Sequence, residues 1–572
     1  MRKNLILVAS ATSILLLGSC SKKLGQFQSD YFSTDPTPLQ TVGGGVPATI
    51  TGRIPAKFML KNAKVTATPV LQWEEAGSNS YTGNVTYGEA KAGYTVIQGS
   101  DVRANGQVVD YTNGGTVTIP FNVEYTPDMA QSTLYLDFQV DQNGKTYALP
   151  RVKVGYGVLA TSTLASAATV YPAIAKDNFQ KVISEKYTAD IHFLINQANV
   201  RNSETSKSEY IDLNRRLQEA NAAANQEIAG VSVSSYASPE GALDFNTKLA
   251  SQREKNTTSY VANQLKKDKI TEFGELTSSF TPEDWEGFQK LVESSNIQDK
   301  DLIISVLKMY PDPEQREKEI RNMASVFNEL ADQILPQLRY SRVQATINVI
   351  GKSDQELIDQ FNSDPSKLTV DEILYISTLT DDNMKKMEVY NAAAGINSSD
   401  YRTFNNLGVT QYVAGDYEGA KANFEHALRL QPSAKEPEMN LGLISLLNQD
   451  YKTANEQFGA AAGVPELNDA MGVYYLSLGE LNKAQNAFGD TKSNNAALAQ
   501  ILAKDYTSAK QTLSSISNPD ATTYYLMAVL GARTNNENMV LTNLREASRL
   551  DSSLLKRAKS DLEFSKFNLS YL

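Results

Sequence analysis

Between residues 46 and 165 apolar positions alternate with polar ones at a period of two. Val65, Ala67 and Pro69 are interleaved with Thr66 and Thr68, and Val117, Ile119 and Phe121 with Thr118 and Pro120. Leu134, Leu136, Phe138 and Val140 continue the pattern. Such alternation gives each extended strand one apolar face, and Asn-Gly pairs at 105–106, 113–114 and 143–144 supply the residues of tight hairpins. The expectation is an antiparallel β-sandwich of immunoglobulin-like size over 46–165. From about Lys186 the texture becomes mixed. The runs 191–195 and 228–236 read as strands, and 210–224 and 244–266 as amphipathic helices. An acidic helical insertion, roughly 281–335, falls inside this α+β domain of 180–352. From Leu368 to Phe567 the pattern is helical, which makes the chain multidomain: β-sandwich, α+β domain, all-α solenoid.

The helical third repeats every 34 residues. Leu407, Gly408, Gly415, Asp416, Tyr417, Ala420 and Phe424 return as Leu441, Gly442, Gln449, Asp450, Tyr451, Ala454 and Phe458. Gly472, Gly479, Ala484 and Phe488 keep the offsets after a contraction, and weaker units carry Asp505, Tyr506 and Ala509, then Leu544 and Ala547. In position and residue type this resembles the tetratricopeptide repeat, TPR. Small residues such as Gly408 and Ala420 let the two helices of a hairpin approach. Gly415-Asp416 makes the turn, and Phe424 and Ala427 are expected against the next repeat. The stretch 368–395 reads as a leading degenerate hairpin, so the solenoid is placed at 368–567. The resemblance implies a concave groove for extended peptides or partner helices. Asn405, Asn406, Thr410, Gln411, Asn440 and Ser445 are its candidate lining, with Asn406 and Asn440 as backbone clamps for a protein partner.

The α+β stretch resembles the OmpA-like, peptidoglycan-associated domain. Gly241, Asn246, Leu249 and Arg253 stand at that family's spacing, and 342–347 is a loose match to its closing strand. The resemblance implies that the arginine, with an aspartate fifteen residues before it, holds the charged ends of diaminopimelate in peptidoglycan. Here that aspartate position is Ser238, and Glu240 is the nearest carboxylate to replace it. The candidate wall-contact set is therefore Ser238, Glu240, Asn246, Arg253 and Arg342.

The N-terminus changes the setting. Arg2 and Lys3 precede an apolar run over 5–17, ending in Leu17-Gly18-Ser19-Cys20. This is the layout of a secretory signal over 1–19, and it is short of the roughly 20 residues of a membrane span. Those last four residues resemble the bacterial lipobox, which implies lipidation of Cys20, the one cysteine of the chain. Residues 20–45, rich in Ser, Gln, Thr and Gly, read as a lipidated flexible tether. No acid follows Cys20 until Asp30, which favours the periplasmic face of the outer membrane.

Composition removes several function classes. The net charge is −11, so a nucleic-acid partner is not expected. With a single cysteine and two histidines, His192 and His426, no metal site, cofactor or Ser-His machinery is expected. The acids Glu283, Asp284 and Glu286 look like the cap of a helix rather than a catalytic group. The resulting expectation is a non-enzymatic lipoprotein serving as an envelope adaptor. The alternative is glycan capture by the sandwich, using Tyr81, Tyr87, Tyr94 and Tyr111 as an aromatic platform.

Overall fold

The computed structural model describes residues 23–75, 85–297, 300–322 and 324–572; Cys20, the segment before it and Tyr81 lie outside them. Two compact units are formed, one from Met1–Lys176 with Asp381–Leu572, the other from Asp177–Thr380. No helix among the described residues is long and apolar enough to cross a membrane.

The first unit begins with a β-rich region. In chain order its strands are β1 (Phe32–Asp35), β2 (Leu39–Gln40), β3 (Ala48–Ile54), β4 (Ala63–Glu74), β5 (Tyr87–Lys91) and β6 (Thr95–Gln98). They are followed by β7 (Gln107–Val108), β8 (Gly115–Phe121), β9 (Thr133–Gln142), β10 (Lys145–Tyr156) and β11 (Val158–Leu159). A sheet of order β1-β3-β8 shares one apolar core with a larger sheet of order β10-β9-β4-β6-β7, to which β5 adds beside β4. The alternating residues Val65, Ala67, Val117, Ile119, Leu134 and Leu136 are all buried there. Of the three Asn-Gly pairs, Asn143-Gly144 alone forms the two-residue hairpin expected, joining β9 to β10 with positive φ at both residues. Asn105-Gly106 instead precedes β7, which lies parallel to β6. Asn113-Gly114 closes a loop whose amides Asp110 accepts.

The expected tether is corrected by the structure. From Leu24 onward the segment is part of the sandwich: Leu24, Phe27, Phe32 and Leu39 are buried, and β1 pairs with β3. Phe27 stacks on Phe138 at 4.3 Å. Polar composition hid four apolar anchors spaced widely enough to escape a window average, and each anchor recovers about 1.5–3 kcal/mol on burial.

The helical region of the same unit is a stack of hairpins resembling a TPR solenoid. The pairs are Tyr401–Val413 with Tyr417–Leu430, Lys435–Leu447 with Tyr451–Ala460, and Leu467–Ser477 with Leu481–Phe488. Asn494–Leu502 with Tyr506–Ser514 and Ala521–Arg533 with Glu537–Leu550 complete it. At each hairpin turn one residue takes a left-handed conformation: Gly415, Gln449, Gly479, Lys504 and Asn535. Asp416, Asp450, Asp505 and Asn536 then cap the second helix, each accepting the amide three residues on. Phe424 lies over Gly408 of its own hairpin, where a Cβ would meet the ring at 2.7 Å, so it seals the hairpin on which it resides. The expected leading hairpin is divided: Asn383–Ile396 belongs with the solenoid, while Val370–Ile376 belongs to the other unit.

The second unit has a sheet of β12 (Val182–His192), β13 (Gln226–Tyr236), β14 (Glu275–Thr281) and β15 (Tyr340–Ile350), in the order β12-β15-β13-β14. The last strand enters between the first two and runs antiparallel to both, whereas β13 and β14 are parallel. Helices Ser208–Ala222 and Leu243–Lys267 cover one face, burying Leu213, Leu217, Val261 and Leu265 on Val231, Val343 and Ile347. Between β14 and β15, four helices from Trp285 to Gln333 hold a small core of their own around Phe288, Ile303 and Leu330.

Candidate functional site

The concave side of the solenoid is built by the first helix of each hairpin. Asn406, Asn440 and Asn495 each stand ten residues before a turn aspartate, at 416, 450 and 505, and so occupy the same place on three helices. Their side chains close on a segment of the same chain, 160–176, which leaves β11 and runs along the groove from the C-terminal hairpins toward the N-terminal ones. The Asn406 Oδ1 accepts the Ala175 amide at 2.9 Å, and its Nδ2 donates to the Ala175 carbonyl at 2.9 Å. Asn440 does the same to Ala173, at 2.7 and 2.9 Å. Asn495 does it to Ser166, at 3.0 and 2.9 Å.

Other contacts extend the clasp. Asn405 Nδ2 donates to the Ala173 carbonyl, and the Tyr412 hydroxyl donates to the Ala167 carbonyl at 2.8 Å. Asn405, Asn406 and Asn440 also bond to one another, with 3.0 Å between neighbouring amides. Burial pushes the Tyr412 phenol up, so it stays a donor across the physiological range. At the far end Arg557 donates to the Ala160 carbonyl and the Thr163 hydroxyl, at 3.0 and 2.8 Å. Thr161 donates to Glu563, which Arg533 grips at 2.6 Å. Ala167, Val170 and Ala173 of the strap belong to the solenoid's own apolar core.

Chemically this is a clamp for backbone, indifferent to side-chain chemistry apart from size. Each amide ring satisfies one N–H and one C=O that burial would otherwise leave unpaired, a cost of about 1–3 kcal/mol per group. Thr410 is not part of it, since its hydroxyl donates to Leu407 of its own helix. Gln411 and Ser445 bond instead to Asn423 and Gln457, tying the two helices of a hairpin together. Asn495 and Tyr412 were missed in the sequence. The ten-residue offset from the turn aspartate would have found Asn495.

The candidate wall-contact residues of the second unit are placed differently from the open clamp that the resemblance implies. Arg253 is 1% exposed. Its Nε and Nη1 donate to the carbonyls of Gln197 and Tyr236 at 3.0 and 2.8 Å, and the guanidinium lies 5.0 Å over the Phe193 ring. Burial, with Arg339 nearby, lowers it to about 10. Glu240 is held by Arg339 through two hydrogen bonds of 2.9 Å, and accepts the Ser238 hydroxyl at 2.8 Å. Asn246 donates to the Gly241 carbonyl at 2.9 Å, fixing the loop. Arg321, from the helical insertion, donates to the Glu240 carbonyl. Arg342 is on the sheet, paired with Asp190 at 2.7 Å. The resemblance gives no place to Arg339 or Arg321, and these two close the loop.

The remaining singled-out residues are accounted for locally. Asp284 caps helix Trp285–Ser294 by accepting the Gly287 amide, Glu283 accepts from the Trp285 indole, and Glu286 pairs with Lys290. His192 ends β12 beside Glu204, and His426 packs on Phe404 at 4.0 Å. Of the tyrosines named for an aromatic platform, Tyr87 and Tyr94 are exposed, and Tyr87 lines a cleft described below.

No family model matches this chain, and no curated protein does. Solved structures do. The APC/C hetero-tetramer Cut9-Hcn1 is 16% identical with a TM-score of 0.32, covering 36% of this chain and 45% of that one. A tetratricopeptide repeat protein from Parabacteroides merdae is 14% identical with a TM-score of 0.29, covering 36% and 91%. Yeast Tom70 is 12% identical with a TM-score of 0.25, covering 70% and 67%. The chain thus spans less than half the length of the first of these. The repeat assignment itself stands on the helix pairs, turns and glycine contacts described above.

Proposed function

We propose that this chain is a non-catalytic scaffold of the bacterial envelope, carried to the outer membrane and held there through a lipid on Cys20. Stacked hairpins of this kind serve as protein-interaction scaffolds through their extended surfaces. The observation that carries the reading is the strap: the clamp asparagines of the solenoid are taken up by residues 160–176 of the same chain. The sandwich and solenoid are thereby one body, and a protein partner is received on surfaces that the strap leaves open.

The α+β unit is OmpA-like in this reading, supported by the order β12-β15-β13-β14 with its late closing strand, and acts as a framework on the wall side. The groups that would meet the two ends of a zwitterion, a carboxylate at Glu240 and a guanidinium, are already joined in the Glu240–Arg339 pair. The test is co-sedimentation of the full chain with insoluble peptidoglycan, alongside Glu240→Gln. The scaffold reading expects no sedimentation above background in either. Sedimentation that free diaminopimelate competes away, and that Glu240→Gln abolishes, would replace it with direct wall binding.

A further inference from the structure

A cleft of about 1010 Å³ lies in the first unit between the sandwich and the cap of the solenoid. None of the clamp asparagines and no residue of the wall-contact set is in it; Ala160, Thr163 and Arg557, where the strap begins, line its edge, and the inference does not rest on the function proposed above. The β-rich region contributes five rings to its lining: Trp73, Tyr87, Tyr125, Tyr135 and Tyr156. Trp73 faces Gly88 across the β4–β5 pair, and a Cβ at Gly88 would fall 2.4 Å from the indole. The glycine is therefore what lets the indole lie against the neighbouring strand. Tyr135 and Tyr156 each carry a cation over the ring, Arg151 at 5.1 Å and Lys153 at 5.0 Å, which fixes their orientation. Tyr87 and Tyr156 remain about half exposed, at 54% and 49%.

The opposite wall is the cap helix Ser552–Ser560, which contributes Lys556, Arg557 and Lys559. The two walls are pinned to each other. Arg557 bonds to Ala160 and Thr163, Thr161 to Glu563, and Gly157 lies so close to Leu562 that a Cβ there would meet it at 2.3 Å. The cleft is thus preformed, and a ligand need not order it.

The lining selects the ligand class. Between the rings the contacts are polar, among them Gln72, Gln131, Thr133 and Ser553, and bulky aliphatic residues are almost absent, which disfavours a lipid or other apolar ligand. Glu74, Glu75 and Asp128 balance the three bases, while Asp561 is engaged by Tyr525, so neither a polyanion nor a polycation is matched. Aromatic faces amid dense hydrogen-bonding groups suit a chain that carries C–H faces and many hydroxyls. The ring quadrupole attracts the weakly positive C–H edge, and amides and charged side chains take the hydroxyls. From this geometry we infer that the cleft is a binding site for a neutral oligosaccharide, with Tyr87 and Tyr156 as stacking surfaces, Trp73 lining it beside them, and the Lys556 and Lys559 ammonium groups donating to sugar hydroxyls.

The chain has two tryptophans, and the second, Trp285, is in the other unit. In the full chain carrying Trp285→Phe, Trp73 is the sole indole reporter. Its emission is titrated with cellohexaose, maltohexaose, xylohexaose and mannohexaose, and separately with polygalacturonate and a Gly-Ser-Tyr peptide of matched length. The expected result is a saturable emission change with at least one neutral hexaose, weakened about tenfold by Tyr87→Ala and by Lys559→Ala. Both positions are exposed, and an unchanged circular dichroism spectrum establishes that the variants fold. Silence with every hexaose, a response to polygalacturonate or the peptide alone, or an affinity untouched by both variants would overturn the inference.

Discussion

The Asn406 side chain and the Ala175 backbone form a closed two-bond ring, 2.9 Å on each side, although 231 residues separate them in sequence. One repeat later Asn440 makes the same ring with Ala173. A step of one repeat along the solenoid therefore matches a step of two residues along the strap, about 7 Å of extended chain. Between these two helices the repeat spacing and the strand spacing are in register; further along, the strap turns through Ala167–Thr169 and Asn495, two repeats on, takes Ser166 instead.

That register makes the strap a structural element of the solenoid. Replacing both clamps, Asn406→Leu with Asn440→Leu, leaves the N–H and C=O of Ala173 and Ala175 buried without their main partners. We expect a loss of about 3–5 kcal/mol across the pair, below the sum of single costs because the two amides share Asn405. Urea unfolding followed by Trp73 emission measures it. Elastase cleavage after Ala173 and Ala175 should rise in step, and unchanged cleavage would mean that the apolar contacts of Val170 and Ala173 suffice to hold the strap.

The hairpin contacts give a second expectation. A methyl group at Gly442 would meet the Phe458 ring at 2.4 Å, inside a buried contact with no slack. Gly442→Ala should destabilise by about 1–3 kcal/mol through overpacking, despite alanine's better helix propensity. Pairing it with Phe458→Leu should recover part of the loss, giving a favourable coupling in a double-mutant cycle. Circular dichroism at 222 nm in urea reads both. Additive losses would place the constraint elsewhere than on this ring.

These two contacts also show what was legible in the sequence. The 34-residue offsets named Gly408, Gly442, Asn406 and Asn440 because a solenoid repeats its packing positions, and repetition is visible in one sequence. The occupant of the groove was not legible. Residues 160–176 are mostly Ala, Ser and Thr, and nothing in such a stretch marks it as core until Asn495, Asn440 and Asn406 are seen to hold it. The same blindness applies to 23–45, where Leu24, Phe27 and Phe32 are diluted by polar neighbours. In the second unit, spacing found Arg253 and Asn246. It could not show that Arg339, 99 residues from Glu240, takes up the carboxylate.

Arg253 is buried and bonded to backbone on two sides. Its donors reach the carbonyls of Gln197 and Tyr236, and a lysine, with a single ammonium on a flexible stem, cannot span both. Arg253→Lys should cost about 2–4 kcal/mol, seen as an earlier urea midpoint of Trp285 emission with Trp73 unaffected. Reading Trp285 in a Trp73→Phe background and Trp73 in a Trp285→Phe background separates the two units. A variant of unchanged stability would show these bonds to be dispensable and return Arg253 to the list of ligand-binding candidates.

Glu204 supplies the pH dependence of the same unit. It is 6% exposed, and burial alone would push its carboxyl up. The hydrogen bonds from Lys207 and from the His192 amide, with the charges of Lys207 and Arg201, outweigh burial and hold it below the usual carboxylate range. A carboxyl lowered on folding contributes stability that is complete above its unfolded value, about 4.3, and is lost as pH falls through that value toward the folded one. Glu204→Gln removes this contribution. At pH 7 the variant should be less stable by about 1–3 kcal/mol, and near pH 3 the gap between variant and parent should narrow as the parent's Glu204 takes up its proton. Burial, then Lys207, lowers the neighbouring His192, which Glu204 partly raises, so its protonation destabilises both proteins over a higher pH range, the variant more than the parent. Urea curves of Trp285 emission at pH 7, 5 and 3 separate the two, because the Glu204 gap is full at pH 5 and closes only below it. A gap that stays constant down to pH 3 would show that Glu204 acts through shape and hydrogen bonding alone.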